Sequence, residues 1–195
     1  MRDLFNLANL LTLFRILLIP PFLYFIYIGR FGWALLTFFI ASISDFFDGF
    51  VARKFNQQTK LGQTLDPAAD KILTTASFIV MAIPHANFPS IPVWLAVVVI
   101  LRDTVILIGS LMVYRLTKFK DFKPTTSGKV NTFLELGLIV WFLWFNWMGR
   151  FTVILPLCYF IVLGSVLVSG VSYIRLGVKV IREHQSTKIL RQTKS

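Results

Sequence analysis

The hydrophobic residues of this chain gather into six long tracts, separated by short segments that carry most of the charged residues. Each tract is close to the roughly 20 apolar residues that a helix needs to cross a bilayer. None shows the apolar and polar alternation of a membrane-barrel strand, so each is predicted to be a helix. The pattern therefore predicts an all-α membrane protein, a bundle of six transmembrane helices. The tracts are Ala8–Ile28, Trp33–Arg53, Thr64–Ile83, Ile91–Tyr114, Val130–Met148 and Thr152–Leu176.

Positive charges are distributed unevenly between the predicted spans, and they indicate the orientation of the chain. The connections on one side hold only Arg30 and Arg150, whereas the other side holds both termini and most of the lysines and arginines, including the basic loop over residues 115–123. Because such residues are retained in the cytoplasm, both termini are predicted to be cytoplasmic. We predict a single domain in the cell membrane over residues 1–183. A polar, basic tail over residues 184–195 is predicted to be frayed near lipid headgroups.

The composition also indicates a lipid environment and argues against a nucleic-acid partner. Of the 195 residues, 56% are hydrophobic and 15% are charged, and the mean hydropathy is +0.72, which is far from the composition of a soluble domain. The net charge of +11 is assigned to topology and to contact with anionic membrane lipids. The single cysteine, Cys158, excludes an intramolecular disulfide and is interpreted as a packing residue.

Four of the nine acidic residues lie in one stretch around the second and third predicted helices. Asp45 and Asp48 are three positions apart near the cytoplasmic end of the second helix, and Asp66 and Asp70 are four positions apart at the start of the third. Residues at these spacings share a helix face. A short loop joins the two helices, which are therefore predicted to be antiparallel neighbours that direct both pairs of carboxylates at one volume.

Carboxylates clustered at the membrane need compensating positive charge. Each costs about 2.5–3.5 kcal/mol at the centre of a span, and like charges repel one another. Arg53 and Lys71 are too few to offset this, whereas Mg²⁺ or Mn²⁺ prefers carboxylate oxygen. We predict a two-metal site for phosphoryl transfer, in which Gly49 lets a nucleotide or diphosphate approach the helix and Arg53 reaches a phosphate. The alternative is that the aspartates form buried salt bridges in a bundle or transporter core.

The motif that begins at Asp45 and ends at Asp70 resembles the signature of the CDP-alcohol phosphatidyltransferase family. Six spans with this motif in the second and third also fit the architecture of that family. The segment from Asn6 to Arg15 is similar to the opening of the bacterial phosphatidylglycerophosphate synthase branch. The signature residues, all at matching spacings, are Asp45, Asp48, Gly49, Ala52, Arg53, Gly62, Asp66 and Asp70.

The resemblance implies an enzyme that transfers the phosphatidyl group from CDP-diacylglycerol to an alcohol and releases CMP. It implies two divalent cations, Mg²⁺ or Mn²⁺, held by the four aspartates, with Asp70 also the general base toward the acceptor hydroxyl. A homodimer is typical of the resembled family, and the predicted orientation puts the active site at the cytoplasmic face. Asn9, Thr12 and Arg15 are candidate pocket-lining residues, although Asn9 and Thr12 could equally cap a helix. The implied nucleotide and diphosphate ligands are Asp45, Gly49, Ala52, Arg53, Gly62 and Asp66.

Three cations outside the motif indicate the chemistry of the acceptor. Arg102 lies inside the fourth predicted span, where a charge is costly enough to suggest function, although an ion pair with Asp103 is the alternative. Lys129 opens the fifth span and Arg175 ends the sixth, where setting the topology and snorkelling are the alternatives. Together they favour an acceptor that bears a phosphate, and glycerol 3-phosphate fits the resemblance best. Inositol phosphate would suit the same cations, while phosphatidylglycerol and serine suit them less well.

A small cation-coupled transporter is the non-enzymatic alternative. It has weak support, because no inverted repeat of broken spans is visible and the carboxylates lie at one edge of the membrane rather than at its midplane. His85 and His184 lie outside the aspartate stretch and are not predicted to bind metal.

Overall fold

Six α-helices form the regular structure of the chain in a computed structural model that describes residues 7–54, 60–85, 88–117, 125–149 and 154–192. No strand occurs in these ranges, so the all-helical prediction is confirmed. The helices are α1 (Leu7–Tyr27), α2 (Phe31–Lys54), α3 (Lys60–Ala82), α4 (Val93–Thr117), α5 (Thr126–Trp147) and α6 (Ile154–Gln192). Side chains are described over residues 13–44, 70–85, 88–110, 125–149 and 154–180, and at Met112, Arg115 and Arg182.

Three helices within the described ranges are long and apolar enough to cross a membrane, judged by length and composition. The stretches are Val93–Ser110, Thr126–Trp147 and Ile154–Val180. Shorter apolar helical stretches cover Leu13–Tyr27 and Phe31–Ser44. Each of the six predicted tracts lies largely within one of the six helices, and the count of six spans stays a prediction.

Helix α6 is much longer than its apolar tract, and this corrects the predicted boundary. The sequence placed the end of the sixth span at Leu176 and a frayed tail after Glu183, but the helix continues to Gln192. Lys, Arg, Glu and Gln are good helix formers, and no proline follows Pro156. The loss of apolar residues therefore marks the end of hydrocarbon contact and not the end of the helix.

The chain divides into two units, of which the first contains residues 1–93 and 139–155. Here α1 packs against both α2 and α3. Aromatic side chains fill the interior: the rings of Phe22 and Phe38 have centroids 5.7 Å apart, and the Phe31 ring lies 6.2 Å from that of Phe142. These contacts tie the start of α2 to α1 and to the end of α5.

The second unit contains residues 94–138 and 156–195. Its buried apolar residues include Leu95, Val99, Val162 and Val166. Helix α5 begins at a cap, since the hydroxyl of Thr125 accepts a hydrogen bond from the backbone N–H of Gly128 at 3.1 Å. The helix thus starts earlier than the sequence predicted.

The described helices carry apolar side chains outside and several polar side chains inside. Large hydrophobic residues such as Leu17, Leu101 and Phe160 are exposed, whereas Arg15 and Glu135 are buried. Exposed apolar surface on this scale is not tolerated in water. The arrangement is that of a protein whose surrounding medium is lipid.

Candidate active site

The motif residues lie on two helices, and for the four aspartates this is what the sequence predicted. Asp45, Asp48, Gly49, Ala52 and Arg53 belong to α2, and Gly62, Asp66 and Asp70 belong to α3. The intervals of three and four residues therefore fall on continuous helix, where such positions share a face. Apart from Asp70, the side chains of these motif residues lie outside the described part of the chain. The convergence of the four carboxylates accordingly stays a prediction.

Asp70, the predicted general base, is held by an arginine from α1. Arg15 Nη1 donates a hydrogen bond to Asp70 Oδ1 at 3.0 Å. The Arg15 side chain is 1% exposed and that of Asp70 is 57% exposed. The pair therefore joins a guanidinium inside the bundle to a carboxylate that still faces outward, where it can meet a ligand.

The sequence had indicated Arg15 only as a pocket-lining residue, and its contact with Asp70 was missed. A signal was available, because a buried arginine needs an acidic partner and no acidic residue lies between Arg15 and Asp45 in the sequence. Asn9 and Thr12 also lie on α1, but their side chains are outside the described part of the structure.

Arg102 sits in a polar network between α4 and α6. Its Nη1 donates to Asp103 Oδ1 at 2.7 Å, its Nη2 donates to the hydroxyl of Ser169, and its guanidinium carbon lies 5.7 Å from the ring centroid of Tyr173. The ion pair with Asp103, which the sequence offered as the alternative, is therefore present. The buried Nε has no hydrogen-bond partner among the described residues.

The other two candidate acceptor ligands are exposed. Lys129 lies in the first turn of α5, and Arg175 lies on α6. Arg175 lines an open cavity of about 390 Å³ together with Lys179 and Arg182. Lys129 and Arg175 are therefore both accessible to an anionic group from outside the helices.

A second buried polar network, on α5 and α6, was not anticipated from the sequence. Asn131 Nδ2 donates to Glu135 Oε1 at 2.7 Å, and the hydroxyl of Ser165 donates to Asn131 Oδ1 at 2.7 Å. Asn131 and Glu135 are fully buried. Hydrogen bonds of this kind join helices in lipid, and their only trace in the sequence is two polar residues four positions apart in an apolar tract.

The donor chemistry of the motif fits divalent cations. Hard ions such as Mg²⁺ and Mn²⁺ bind carboxylate oxygen, and the exposed Asp70 carboxylate is accessible from outside the bundle. Among the side chains that the structure describes, no group of three His, Cys, Asp or Glu residues is close enough to hold a metal. Three of the four predicted ligands fall outside that set, so the metal site stays a prediction.

The described part of the chain is helical, its helices expose apolar side chains, and two of them carry the aspartate motif. The chain belongs to the CDP-alcohol phosphatidyltransferase family, whose family model matches residues 5–182. The CDP-diacylglycerol–glycerol-3-phosphate 3-phosphatidyltransferases of Salmonella paratyphi A and Escherichia coli (strain K12) are 37% and 35% identical to it. Each match extends over 145 residues, 72% of this chain and 78% of the relative. The resemblance drawn from the motif is confirmed.

Proposed function

We propose that this protein transfers the phosphatidyl group of CDP-diacylglycerol to glycerol 3-phosphate, giving phosphatidylglycerophosphate and CMP. The observation that carries the proposal is the similarity to two enzymes named for this reaction, at 35–37% identity over 72% of the chain. Membership of the family gives the reaction class. Membership of a family of transferases also argues against the alternative that the protein is a small cation-coupled transporter.

The donor would be bound by the motif on α2 and α3. Asp45, Asp48, Asp66 and Asp70 are the proposed ligands of two Mg²⁺ or Mn²⁺ ions, which when bound would neutralise the diphosphate charge. Gly49, Ala52, Arg53 and Gly62 complete the proposed nucleotide and diphosphate site, with the Arg53 guanidinium paired to a phosphate oxygen.

In the reaction, the acceptor hydroxyl oxygen forms a bond to the phosphorus that carries the diacylglycerol. The bond from that phosphorus to the CMP oxygen breaks, and CMP leaves with the electron pair. Asp70 accepts the proton of the hydroxyl. The hydrogen bond from Arg15 to Asp70 Oδ1 at 3.0 Å fixes the carboxylate, so that its orientation does not have to be established at each turnover.

The acceptor phosphate would be bound by Arg102, Lys129 and Arg175. Arg102 carries a positive charge within its polar network on α4 and α6, and the exposed Lys129 and Arg175 supply further charge. Three cations suit a phosphorylated acceptor better than serine, which carries no phosphate. Inositol phosphate and phosphatidylglycerol remain the alternative acceptors. Asn9 and Thr12 are proposed to line the pocket.

An acceptor panel tests the proposal. Purified protein is given CDP-diacylglycerol with glycerol 3-phosphate, inositol phosphate, phosphatidylglycerol or serine, and CMP release is measured. We expect release with glycerol 3-phosphate. Asp70→Asn should abolish it, while Asp121→Asn, the same substitution outside the motif, should not. Normal turnover in Asp70→Asn would remove that residue from its role, and release with another acceptor alone would assign a different substrate.

We further propose six spans in the cell membrane, with both termini and the active site at the cytoplasmic face, and a homodimer. The predicted outer connections hold only Arg30 and Arg150, and the excess of Lys and Arg on the other side supports this orientation. With Cys158 changed to Ser, cysteines introduced as Arg30→Cys and Lys123→Cys should react with an impermeant thiol reagent from opposite sides of sealed vesicles. Labelling of both from one side would contradict the topology.

A further inference from the structure

A cavity of about 440 Å³ lies in the first unit, beside the start of α2 and the end of α5. It is at the opposite end of α2 from the aspartate motif, so the proposed reaction does not use it. Its lining combines cationic, amide, indole and aliphatic groups: Arg30, Gly32, Trp33, Leu36, Asn146 and Trp147.

Arg30 brings a positive charge to this cavity. It follows the left-handed Gly29 (φ 71°) that ends α1, and its N–H bonds to Phe25 O at 2.8 Å while the Gly29 N–H bonds to Ile26 O at 3.0 Å. This closing pattern fixes the backbone of Arg30. The side chain is exposed, and no described carboxylate pairs with it. Its guanidinium is therefore accessible to an anionic group.

Asn146 brings a buried hydrogen-bond acceptor. Its Nδ2 donates to Phe142 O at 2.8 Å, which fixes the orientation of the amide because only the nitrogen can donate to a carbonyl. Its Oδ1 is buried and has no hydrogen-bond partner among the described residues. A buried acceptor without a donor is unfavourable, so a ligand that carries an N–H or O–H group would be favoured here.

The indole of Trp147 brings a donor to the same wall. A Cβ at position 32 would lie 2.8 Å from Trp147 Nε1, so Gly32 is what allows the indole to lie against α2. An indole N–H is a donor only and suits a phosphate oxygen. The cavity thus offers a cation and a donor for an anion, together with an acceptor for a neighbouring donor group.

An exposed apolar stripe runs along α2 from the cavity. Trp33, Leu36, Ile40 and Ile43 are all exposed, and their spacing keeps them on one side of the helix. At 1.5 Å per residue, the ten steps from Trp33 to Ile43 span about 15 Å, half of the roughly 30 Å hydrocarbon core. The stripe therefore matches the length of a lipid acyl chain in a single leaflet. A free phosphate ion has no acyl chain and would not contact the stripe.

We propose that the cavity binds the headgroup of one phospholipid whose headgroup carries a hydrogen-bond donor. The phosphodiester pairs with Arg30 and the Trp147 indole, the ammonium or hydroxyl of the headgroup donates to Asn146 Oδ1, and an acyl chain lies along the stripe of α2. Phosphatidylethanolamine and phosphatidylglycerol meet this requirement. Phosphatidylcholine, whose headgroup nitrogen has no hydrogen, does not. The inference depends on the chain being embedded in lipid and not on the reaction it catalyses.

Native mass spectrometry of the purified full chain in detergent tests this proposal, with the three lipids at matched acyl chains. We expect one phosphatidylethanolamine or phosphatidylglycerol to bind about tenfold more tightly than phosphatidylcholine, which corresponds to about 1.4 kcal/mol. Arg30→Gln should weaken binding of all three about tenfold. Asn146→Leu should remove only the preference among them. Arg115→Gln, which removes the same charge from α4, should bind as the wild type does.

Stepwise N-methylation of phosphatidylethanolamine provides a second measurement on the unaltered protein. Affinity should fall when the last N–H is lost and not before. Equal binding of the three lipids, unchanged binding by Arg30→Gln, or displacement of the lipid by inorganic phosphate would each overturn the proposal, and the last would assign the cavity to a free anion.

Discussion

The pair formed by Arg15 and Asp70 predicts an unequal response to removal of its two partners. Two unit charges about 4 Å apart attract by about 4 kcal/mol at an effective dielectric constant near 20. Asp70 is 57% exposed, so water screens part of this attraction. We therefore expect a coupling free energy of about 2 kcal/mol between the two side chains, which is within the range for a hydrogen bond to a charged group. Asp70→Asn removes one negative charge that faces Arg15, whose side chain is 1% exposed. Arg15→Met leaves a carboxylate that water can solvate.

We therefore expect Asp70→Asn to lower the free energy of unfolding by about 1–3 kcal/mol and Arg15→Met to be nearly neutral, because an apolar side chain of similar length replaces a buried charge. Thermal unfolding in detergent of the wild type, both single variants and the double variant measures the coupling. Arg15→Met should nevertheless lower CMP release about 10- to 100-fold, because Asp70 loses the contact that orients it.

Arg115→Met serves as the control for this series, since it removes an exposed arginine from α4. It should change neither stability nor CMP release. A coupling below about 0.5 kcal/mol, which is within the error of additivity, would refute the interaction. Equal destabilisation by Arg15→Met and Asp70→Asn would refute the reasoning from burial.

Three further outcomes are expected. Gly32→Ala should lower the free energy of unfolding by about 1–3 kcal/mol, because the added Cβ would lie 2.8 Å from Trp147 Nε1. Gly109 has open space around it, so Gly109→Ala should raise the free energy of unfolding by up to about 1 kcal/mol in the same assay. Ser165→Ala should cost about 0.6 kcal/mol, typical of a hydrogen bond between helices in lipid, and a neutral result would deny the contact with Asn131 any energetic role. Chelation of divalent cations should abolish CMP release, and Mg²⁺ or Mn²⁺ should restore it; release that persists in the chelator would exclude the proposed ion site.

The helices could be predicted from the sequence because lipid imposes a simple requirement on the backbone. Long apolar tracts must satisfy their backbone hydrogen bonds internally, and each of the six tracts lies largely within one of the six helices. The boundaries were harder to predict, since polarity signals the edge of the hydrocarbon and not the end of a helix. This is why α6 was predicted too short, and why α5 begins before Val130, at a Thr125 cap that lies among polar residues.

The candidate site was predictable where it depends on spacing and was not where it depends on packing between distant segments. The intervals within the aspartate motif follow the helix repeat, so their placement on α2 and α3 was correct. The contact of Arg15 with Asp70 joins residues 55 positions apart, and no local pattern encodes it. The engagement of Arg102 by Ser169, 67 positions away, is of the same kind, whereas its pairing with the adjacent Asp103 was anticipated.

The length of α6 has a practical consequence for experiments on this protein. Its 39 residues amount to about 58 Å at 1.5 Å per residue, nearly twice the roughly 30 Å hydrocarbon thickness. From Val180, the last residue of its candidate membrane span, the helix continues for about 18 Å. A reporter fused behind Gln192 would be separated by this helical segment from the apolar residues of the span, which should make it a tolerant attachment point for labels or immobilisation.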